Sequence, residues 1–509
     1  IQDTNFPQIY PQGYLPLIEP DIIDLSGTAG VRGTRGAWFW DASAQYGYNS
    51  FDFNIKDSLN VSLGPNSTQR DFYSGSLVFD QFRTNVDVAR QVDAGLAGPL
   101  NVALGAEFRR ETYQIIAGEP NSYLDGGLPN QFGGRAVAGA QVFPGFRPSN
   151  EVDEGRNSVA AYLDLEGNVA KYLRLGLAGR FEHFTDFGNT SDGKVTARLE
   201  PHPDFVVRGA LSTGFRAPSL PQSFFSAVST NFLPIGPGGT LIPVEVGTFP
   251  VSSPQARVLG SVDLKPEQSV HYSGGLVWNP VAPLEITADI YRIDIDDRIA
   301  ISGNFTGGRI TDLLLPLGAT GARFFTNAID TRTDGVDVTA SYTEDLDNAG
   351  RVKLSAAFNT SDNKIKRIAD TPSQLAGFQS TLFDRVEIRR VECGQPHNNY
   401  RFSGDWNKDR FGGVARVARY GKFCSVDRVT STPAGIPNDQ DFSPQWVTDV
   451  EATARFGKAL VGIGVQNLFD SFPDKSRFEN SVFGILPYAS NAPNGFNGRF
   501  GYVRATYRF

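Results

Sequence analysis

The last nine residues, Gly501-Tyr-Val-Arg-Ala-Thr-Tyr-Arg-Phe509, constrain this chain more than any other stretch. Gly501, Val503, Ala505, Tyr507 and Phe509 share one face of a strand, and Tyr502, Arg504, Thr506 and Arg508 share the other. Such alternation describes a strand between two different solvents. An apolar row ending in aromatics, opposite a row with two arginines, suits lipid outside and water inside. The last strand of a soluble sandwich is the competing reading, and the rest of the chain argues against it.

The pattern recurs. Trp38, Trp40, Ala42, Ala44, Tyr46 and Tyr48 alternate with Phe39, Asp41, Ser43, Gln45, Gly47 and Asn49. Leu173, Leu175, Leu177, Gly179 and Phe181 alternate with Arg174, Gly176, Ala178, Arg180 and Glu182, and the segments around 102–109 and 336–342 do the same. With their flanks these reach the ~9–11 residues that a tilted strand needs to cross a bilayer. No apolar run approaches the ~18–20 residues of a membrane helix. A mean hydropathy of −0.25 fits a barrel, because only alternate residues meet lipid. A net charge of −8 without a basic face argues against nucleic acid as a partner.

Short and long connections take turns. Short ones fall at Thr34-Arg-Gly36, Leu96-Ala-Gly-Pro99, His202-Pro-Asp204, Asn279-Pro-Val-Ala-Pro283, Asn407-Lys-Asp-Arg410 and Phe456-Gly-Lys458. Long ones run near 55–83, 117–155, 215–266, 298–322, 362–396, 425–441 and 471–496, with a brief one near 187–192. Tight turns on one rim and long loops on the other are the arrangement of bacterial outer-membrane barrels. The expected fold is therefore all-β: a transmembrane antiparallel β-barrel of about seventeen strands, in a class with even strand numbers. The odd count makes residues 1–21 the end of an extracellular loop and 22–509 the C-terminal part of a larger barrel.

Four phrases then resemble the TonB-dependent outer-membrane receptors: Leu211-Ser-Thr-Gly-Phe-Arg-Ala-Pro-Ser219, Leu264-Lys-Pro-Glu-Gln-Ser269, Asn327-Ala-Ile-Asp-Thr-Arg-Thr-Asp-Gly-Val-Asp337 and Val465-Gln-Asn-Leu-Phe-Asp470. They stand in family order before a terminal aromatic. The resemblance implies a twenty-two-stranded barrel around a plug domain, with the plug and about five strands outside this chain. It also implies partnership with outer-membrane lipid, the TonB complex of the inner membrane and a small-molecule ligand. Glu267, Asp337 and Arg216 become candidate plug contacts. Two departures stand out: Ser273 and Gly274 lie where a second glutamate often follows, and Asp337 replaces the usual glutamate.

No enzyme constellation or cofactor motif is legible. His183, His202, His271 and His397 lack zinc-ligand spacing, and Cys393 and Cys424 form no CxxC pair. Asp294, Asp296 and Asp297 read as a solvated strand end in preference to a calcium site. The charged residues instead take the phase opposite to the apolar row, among them Asp41, Glu107, Arg109, Glu111, Arg180, Glu182, Asp289, Asp337 and Glu451. So many charges cannot be buried dry and require a wet lumen or a polar plug.

The expected function is TonB-dependent import of a scarce ligand across the bacterial outer membrane. A passive diffusion porin is the alternative. Phe224, Phe225, Phe324, Phe325, Tyr488 and Asn491 are the candidate ligand contacts, since aromatic faces and amides suit sugars or aromatic compounds. Siderophores are the runner-up, implied by the family. Folding Tyr400–Trp406 against Phe411–Tyr420 with Asn407 opposite Arg410 brings Cys393 opposite Cys424. A disulfide between them is expected in an oxidising compartment.

Overall fold

The computed structural model describes residues 2–235, 240–425, 439–481 and 484–508, the side chains of Gln2 and of 229–245 excepted. Seventeen strands form one sheet. The first eight are β1 (Leu17–Arg35), β2 (Trp38–Lys56), β3 (Phe72–Val92), β4 (Leu100–Ile116), β5 (Val152–Ala170), β6 (Leu173–Phe184), β7 (Gly188–His202) and β8 (Phe205–Arg216). Then come β9 (Glu267–Val281), β10 (Leu284–Ile301), β11 (Phe325–Asp345), β12 (Arg351–Ile368) and β13 (Asn398–Lys408). The last four are β14 (Phe411–Tyr420), β15 (Gln445–Phe456), β16 (Ala459–Gln466) and β17 (Phe500–Tyr507). Each pairs antiparallel with its neighbour in the chain. Among the described residues β1 is laddered only to β2, and β17 only to β16. β1 begins at Leu17, five residues before the expected Ile22, so 1–21 is not wholly loop.

The register carries the alternation across the whole sheet. Tyr46 lies opposite Phe82, Val86 opposite Ala106, Leu104 opposite Leu163, Leu177 opposite Val195, and Ile463 opposite Val503. These outward side chains stay exposed, Ile290 at 63%, Val503 at 72% and Leu177 at 56%, as lipid-facing positions should. Trp38, Trp278, Tyr342, Trp406, Phe411 and Phe456 stand near the short-turn ends, where aromatic side chains straddle the bilayer surface. β1, β2 and β3 run 19, 19 and 21 residues, so they extend beyond the membrane.

Connection length alternates as expected. On one rim the chain reverses within a few residues, and φ is positive at Gly36 (61°), Asp409 (50°) and Gly457 (57°), the backbone that matches strand twist in a tight hairpin. On the other rim stand 57–71, 117–151, 217–266, 302–324, 369–397, 421–444 and 467–499, with a brief reversal at 185–187. The first long loop is shorter than its expected 55–83, because β3 starts at Phe72.

The packed apolar clusters among the described residues lie at this long-loop end. Phe249, Leu259, Phe305, Ile310, Leu314, Phe324, Leu375 and Leu382 join three loops into one core. Phe6, Leu59, Val61 and Ala136 form another, with Tyr10 and Tyr14 against it. There the Tyr14 hydroxyl donates to the Thr4 carbonyl at 2.8 Å, and burial, with Tyr10 beside it, pushes the phenol above its usual pKa. Between the rims, lipid takes the outer face and water the inner one.

Candidate functional site

The inner wall is built from ion pairs that the strand register sets side by side. Arg109 reaches Glu107 at 2.9 Å and Glu182 at 3.2 Å, while Arg180 reaches Glu182 at 2.9 Å and Glu107 at 3.5 Å. Arg83 joins Glu107 at 3.6 Å, linking β3 to β6 through one network. Arg208 forks onto Asp289 at 3.0 and 2.7 Å, and Arg504 forks onto Glu451 at 2.7 and 2.6 Å. A cavity of about 430 Å³ opens between β5 and β10, lined by Glu166, Arg174, Arg198, Arg208 and Asp289. Paired charges along a wet wall hold its shape and remain exchangeable with a polar occupant.

Three of the four family-like phrases meet at the long-loop rim. Arg216 ends β8 and lies opposite Glu267, the first residue of β9. The Glu267 carboxylate, 5% exposed, accepts both guanidinium arms and the Ile299 N–H at 2.8 Å. Asn327 accepts the Lys265 N–H at 2.9 Å and donates to the Lys265 and Asp297 carbonyls at 2.9 and 2.6 Å. Arg156, 7% exposed, clamps Glu111 at 2.6 Å and the Pro218 carbonyl at 2.6 Å. The fourth phrase locks itself: Asn467 accepts the Ser471 N–H and donates to the Ser471 carbonyl, both at 2.8 Å, while Asp470 accepts the Arg499 N–H at 2.7 Å.

Arg156 and Asn327 were absent from the expected site. Asn327 stands inside a quoted phrase, whereas the only sign of Arg156 is an inward charge at a strand's outer end. Asp337 faces the lumen as expected and accepts from Asn359 at 2.5 Å. It lies in register with Asp289, apart from the Arg216–Glu267 pair. The acidic strand end is engaged as well, with Asp294 against Arg332 at 2.6 Å and Asp297 against Arg367 at 3.3 Å.

The candidate ligand contacts do not converge. Phe324 is 1% exposed, stacked on Phe305 inside the loop core, and this burial removes it from a ligand surface. Phe325 packs against Val251, Leu264 and Ile299. Phe224 and Phe225 lean on Tyr113, Ile115, Phe146 and Leu220. Asn491 donates to the carbonyls of Gly394 and Cys424 at 2.9 and 3.0 Å, a strap between loops. Tyr488 is half-buried between Phe472 and Phe496, its ring 5.7 Å from each. Apolar side chains in long loops found one another first, because an exposed aromatic surface is costly in water.

The Cys393–Cys424 disulfide is present, with Cα atoms 5.4 Å apart. Its expected geometry is corrected. Lys408 pairs with Phe411, so Asn407 faces Gly412 and not Arg410, and the hairpin register alone would miss Cys424. Cys393 ends the helix Arg385–Cys393, and Cys424 sits in the short strand Phe423–Ser425.

Comparison with known proteins agrees with this architecture. Residues 5–468 match the family described as "TonB dependent receptor-like, beta-barrel". The iron-regulated outer membrane virulence protein of Vibrio cholerae serotype O1 is 26% identical over 140 residues, covering 28% of this chain and 18% of that protein. The siderophore receptor PirA of Acinetobacter baumannii superimposes with a TM-score of 0.64 at 15% identity, over 96% of this chain and 63% of that one. A mutant of the ferric enterobactin receptor PfeA of Pseudomonas aeruginosa gives 0.62 at 16% identity, over 96% and 62%. The ferric-catecholate import receptor Fiu of Escherichia coli K12 gives 0.59 at 14%, over 97% and 65%. The chain thus spans less than two thirds of the length of these relatives. At such identities the superpositions speak for the fold alone. The match over 5–468 does more: this chain belongs to the TonB-dependent receptor β-barrel family of the bacterial outer membrane.

Proposed function

We propose that the protein imports a ferric siderophore across the outer membrane, driven through TonB. The observation that carries this reading is the family match over residues 5–468. Siderophore chemistry is preferred over the sugar or aromatic solute expected from the loop aromatics, because most of those aromatics are packed into loop cores. The printed descriptions of the relatives, iron-regulated, siderophore and ferric enterobactin, support the same preference.

The lumen wall bears charges that suit a polar plug, and Asp337 is its leading contact. Glu267 and Arg216 remain part of that proposal only as the pair that positions the rim. Unpaired edge groups of β1 and β17 would cost several kcal/mol each in lipid. Strands supplied from outside this chain therefore close the barrel. A structure of the assembled receptor with β1 paired directly to β17 would overturn that closure.

The test is growth of a deletion strain under iron chelation, supplied with defined ferric siderophores, with and without TonB. Restored growth that needs both the receptor and TonB is expected for at least one siderophore. TonB-independent uptake would favour the porin. Uptake of glycans or aromatics without any iron dependence would overturn the siderophore reading.

A further inference from the structure

Two of the tight turns carry cations that no carboxylate meets. Lys408 ends β13 and Arg410 stands in the turn to β14, while Lys458 stands in the turn between β15 and β16. All three residues are exposed, and among the described residues none has a carboxylate oxygen within 4.0 Å. They share one stretch of rim. Phe411 pairs with Ala454, and the Arg455 N–H donates to the Arg410 carbonyl at 2.7 Å, so the two turns are neighbours. At ~4.8 Å per strand, Lys408 and Lys458 stand roughly 15 Å apart along the rim. Asp409 is the one carboxylate in these two turns. Elsewhere the rim differs: the connection between β11 and β12 holds Asp347 and no cation, and that between β9 and β10 holds no charge.

This group stands toward lipid and away from the lumen. Lys408 has the outward phase of Trp406, and the Arg410 guanidinium sits 4.9 Å from the centre of the outward Phe411 ring. Arg455, at the same level, takes the inward phase and stays outside the group. Just inside the membrane from the cations come Trp406, Phe411 and Phe456, the exposed aromatic belt of this rim. The belt fixes the depth, so the cations stand at the level of the headgroups on the periplasmic side. Beyond the belt, register sets Trp406, Gly413, Ala452 and Ile463 in one outward row, two small residues between two large ones. The result is a shallow trough that rises from the cations along the lipid-facing wall.

We propose that this stretch of rim binds an anionic glycerophospholipid of the inner leaflet, its phosphate on Lys408, Arg410 and Lys458 and an acyl chain in the trough. A guanidinium offers phosphate oxygens a fork of N–H donors, and the two ammonium groups add point charges. Clusters of lysine and arginine beside a membrane attract anionic lipids. Stacking on Phe411 holds the Arg410 guanidinium at headgroup level before a lipid arrives. The belt and trough favour a lipid over a soluble phosphate, which gains nothing from an apolar floor. The site goes beyond the import reading: it lies outside the lumen and is the same whether or not a plug fills the barrel.

Trp406 is the reporter, because its indole N–H is fixed on the Ala349 carbonyl at 2.8 Å beside the site. The assembled receptor, with Trp406 as its one tryptophan, is placed in vesicles of phosphatidylglycerol and phosphatidylcholine. Either lipid in turn carries bromine on its acyl chains, which quenches tryptophan on contact. Both leaflets have one composition, so the direction of insertion does not matter. Phosphatidylglycerol should be preferred at Trp406 by roughly fivefold, the worth of about one cation at a membrane surface. A receptor with Trp278 as its one tryptophan should show no preference, since the turn after β9 has no charge. Combining Lys408→Gln, Arg410→Gln and Lys458→Gln should bring the ratio at Trp406 to about one in the heat-modifiable, folded fraction. Inorganic phosphate at matched ionic strength should leave the wild-type ratio intact. Native mass spectrometry of the receptor with all its tryptophans, from micelles holding both lipids equally, should retain phosphatidylglycerol and lose that selectivity in the triple variant. Equal quenching by the two lipids at Trp406, the same preference at Trp278, loss of the preference to inorganic phosphate, or a preference that survives in the triple variant would overturn the proposal.

Discussion

Glu267 and Asp337 stand in neighbouring family-like phrases but in different surroundings. Glu267 is closed in on the rim and holds the Ile299 N–H, whereas Asp337 faces the lumen and accepts from Asn359. Glu267→Ala should destabilise the rim by about 1–3 kcal/mol, the usual cost of a buried N–H left unpaired. The half-exposed Arg216 adds little to that sum, because solvent screens it. Limited proteolysis should show faster cleavage within 217–266. Asp337→Ala should leave the barrel's unfolding midpoint nearly unchanged and raise passive leakage of small antibiotics, as lost plug contact requires. No leakage in that variant would remove Asp337 from the plug interface. Both carboxylates were visible in the sequence; their separate roles were not, since burial depends on loops far away in the chain.

At the scale of elements, strands and loops obey different rules. A strand in this sheet declares itself through its own alternation, so β2, β6 and β17 are legible residue by residue. Loops such as 302–324 and 369–397 carry no period, and their helices and cores arise from contacts with each other. The disulfide shows the difference. Compartment and proximity were sufficient to pair Cys393 with Cys424, yet the assumed extended hairpin was wrong by two residues and the first cysteine sits on a helix. Closing 31 residues should stabilise the unreduced protein by roughly 3–4 kcal/mol in the chain-entropy model. Asn491 already straps Gly394 to Cys424, so Cys393→Ser should lose less than this. Thiol labelling should find no free cysteine before reduction, and reduction should speed proteolysis near 385–425. Two thiols in the unreduced protein would refute the bond.

For the whole molecule, the deciding fact is that one sheet separates two solvents. Leu177 and Ala178 are adjacent, but register turns the first to lipid and the second to the lumen. Leu177→Arg should therefore cost about 2–4 kcal/mol, the value for arginine near the bilayer midplane. Ala178→Arg should cost less than about 1 kcal/mol, in the range of exposed substitutions. Denaturant unfolding in lipid vesicles compares them. Equal losses would mean that the strand is not placed with this face to lipid. The wall charges belong to the same scale: Arg109 and Glu107 come from β4, Arg180 and Glu182 from β6, and only the register of both strands on β5 makes them a network.

The sequence by itself determined the strands, their inward and outward faces, the alternation of short turns with long loops, and the family. Those properties rest on local periodicity and on solvent, and both are written along the chain. Only the tertiary structure decided that Phe324 is core, that Asn491 is a strap, that Arg156 is a clamp, and that Lys408, Arg410 and Lys458 share one stretch of rim. Each of these depends on which distant residue reaches a side chain first, and chain order carries no distance in space.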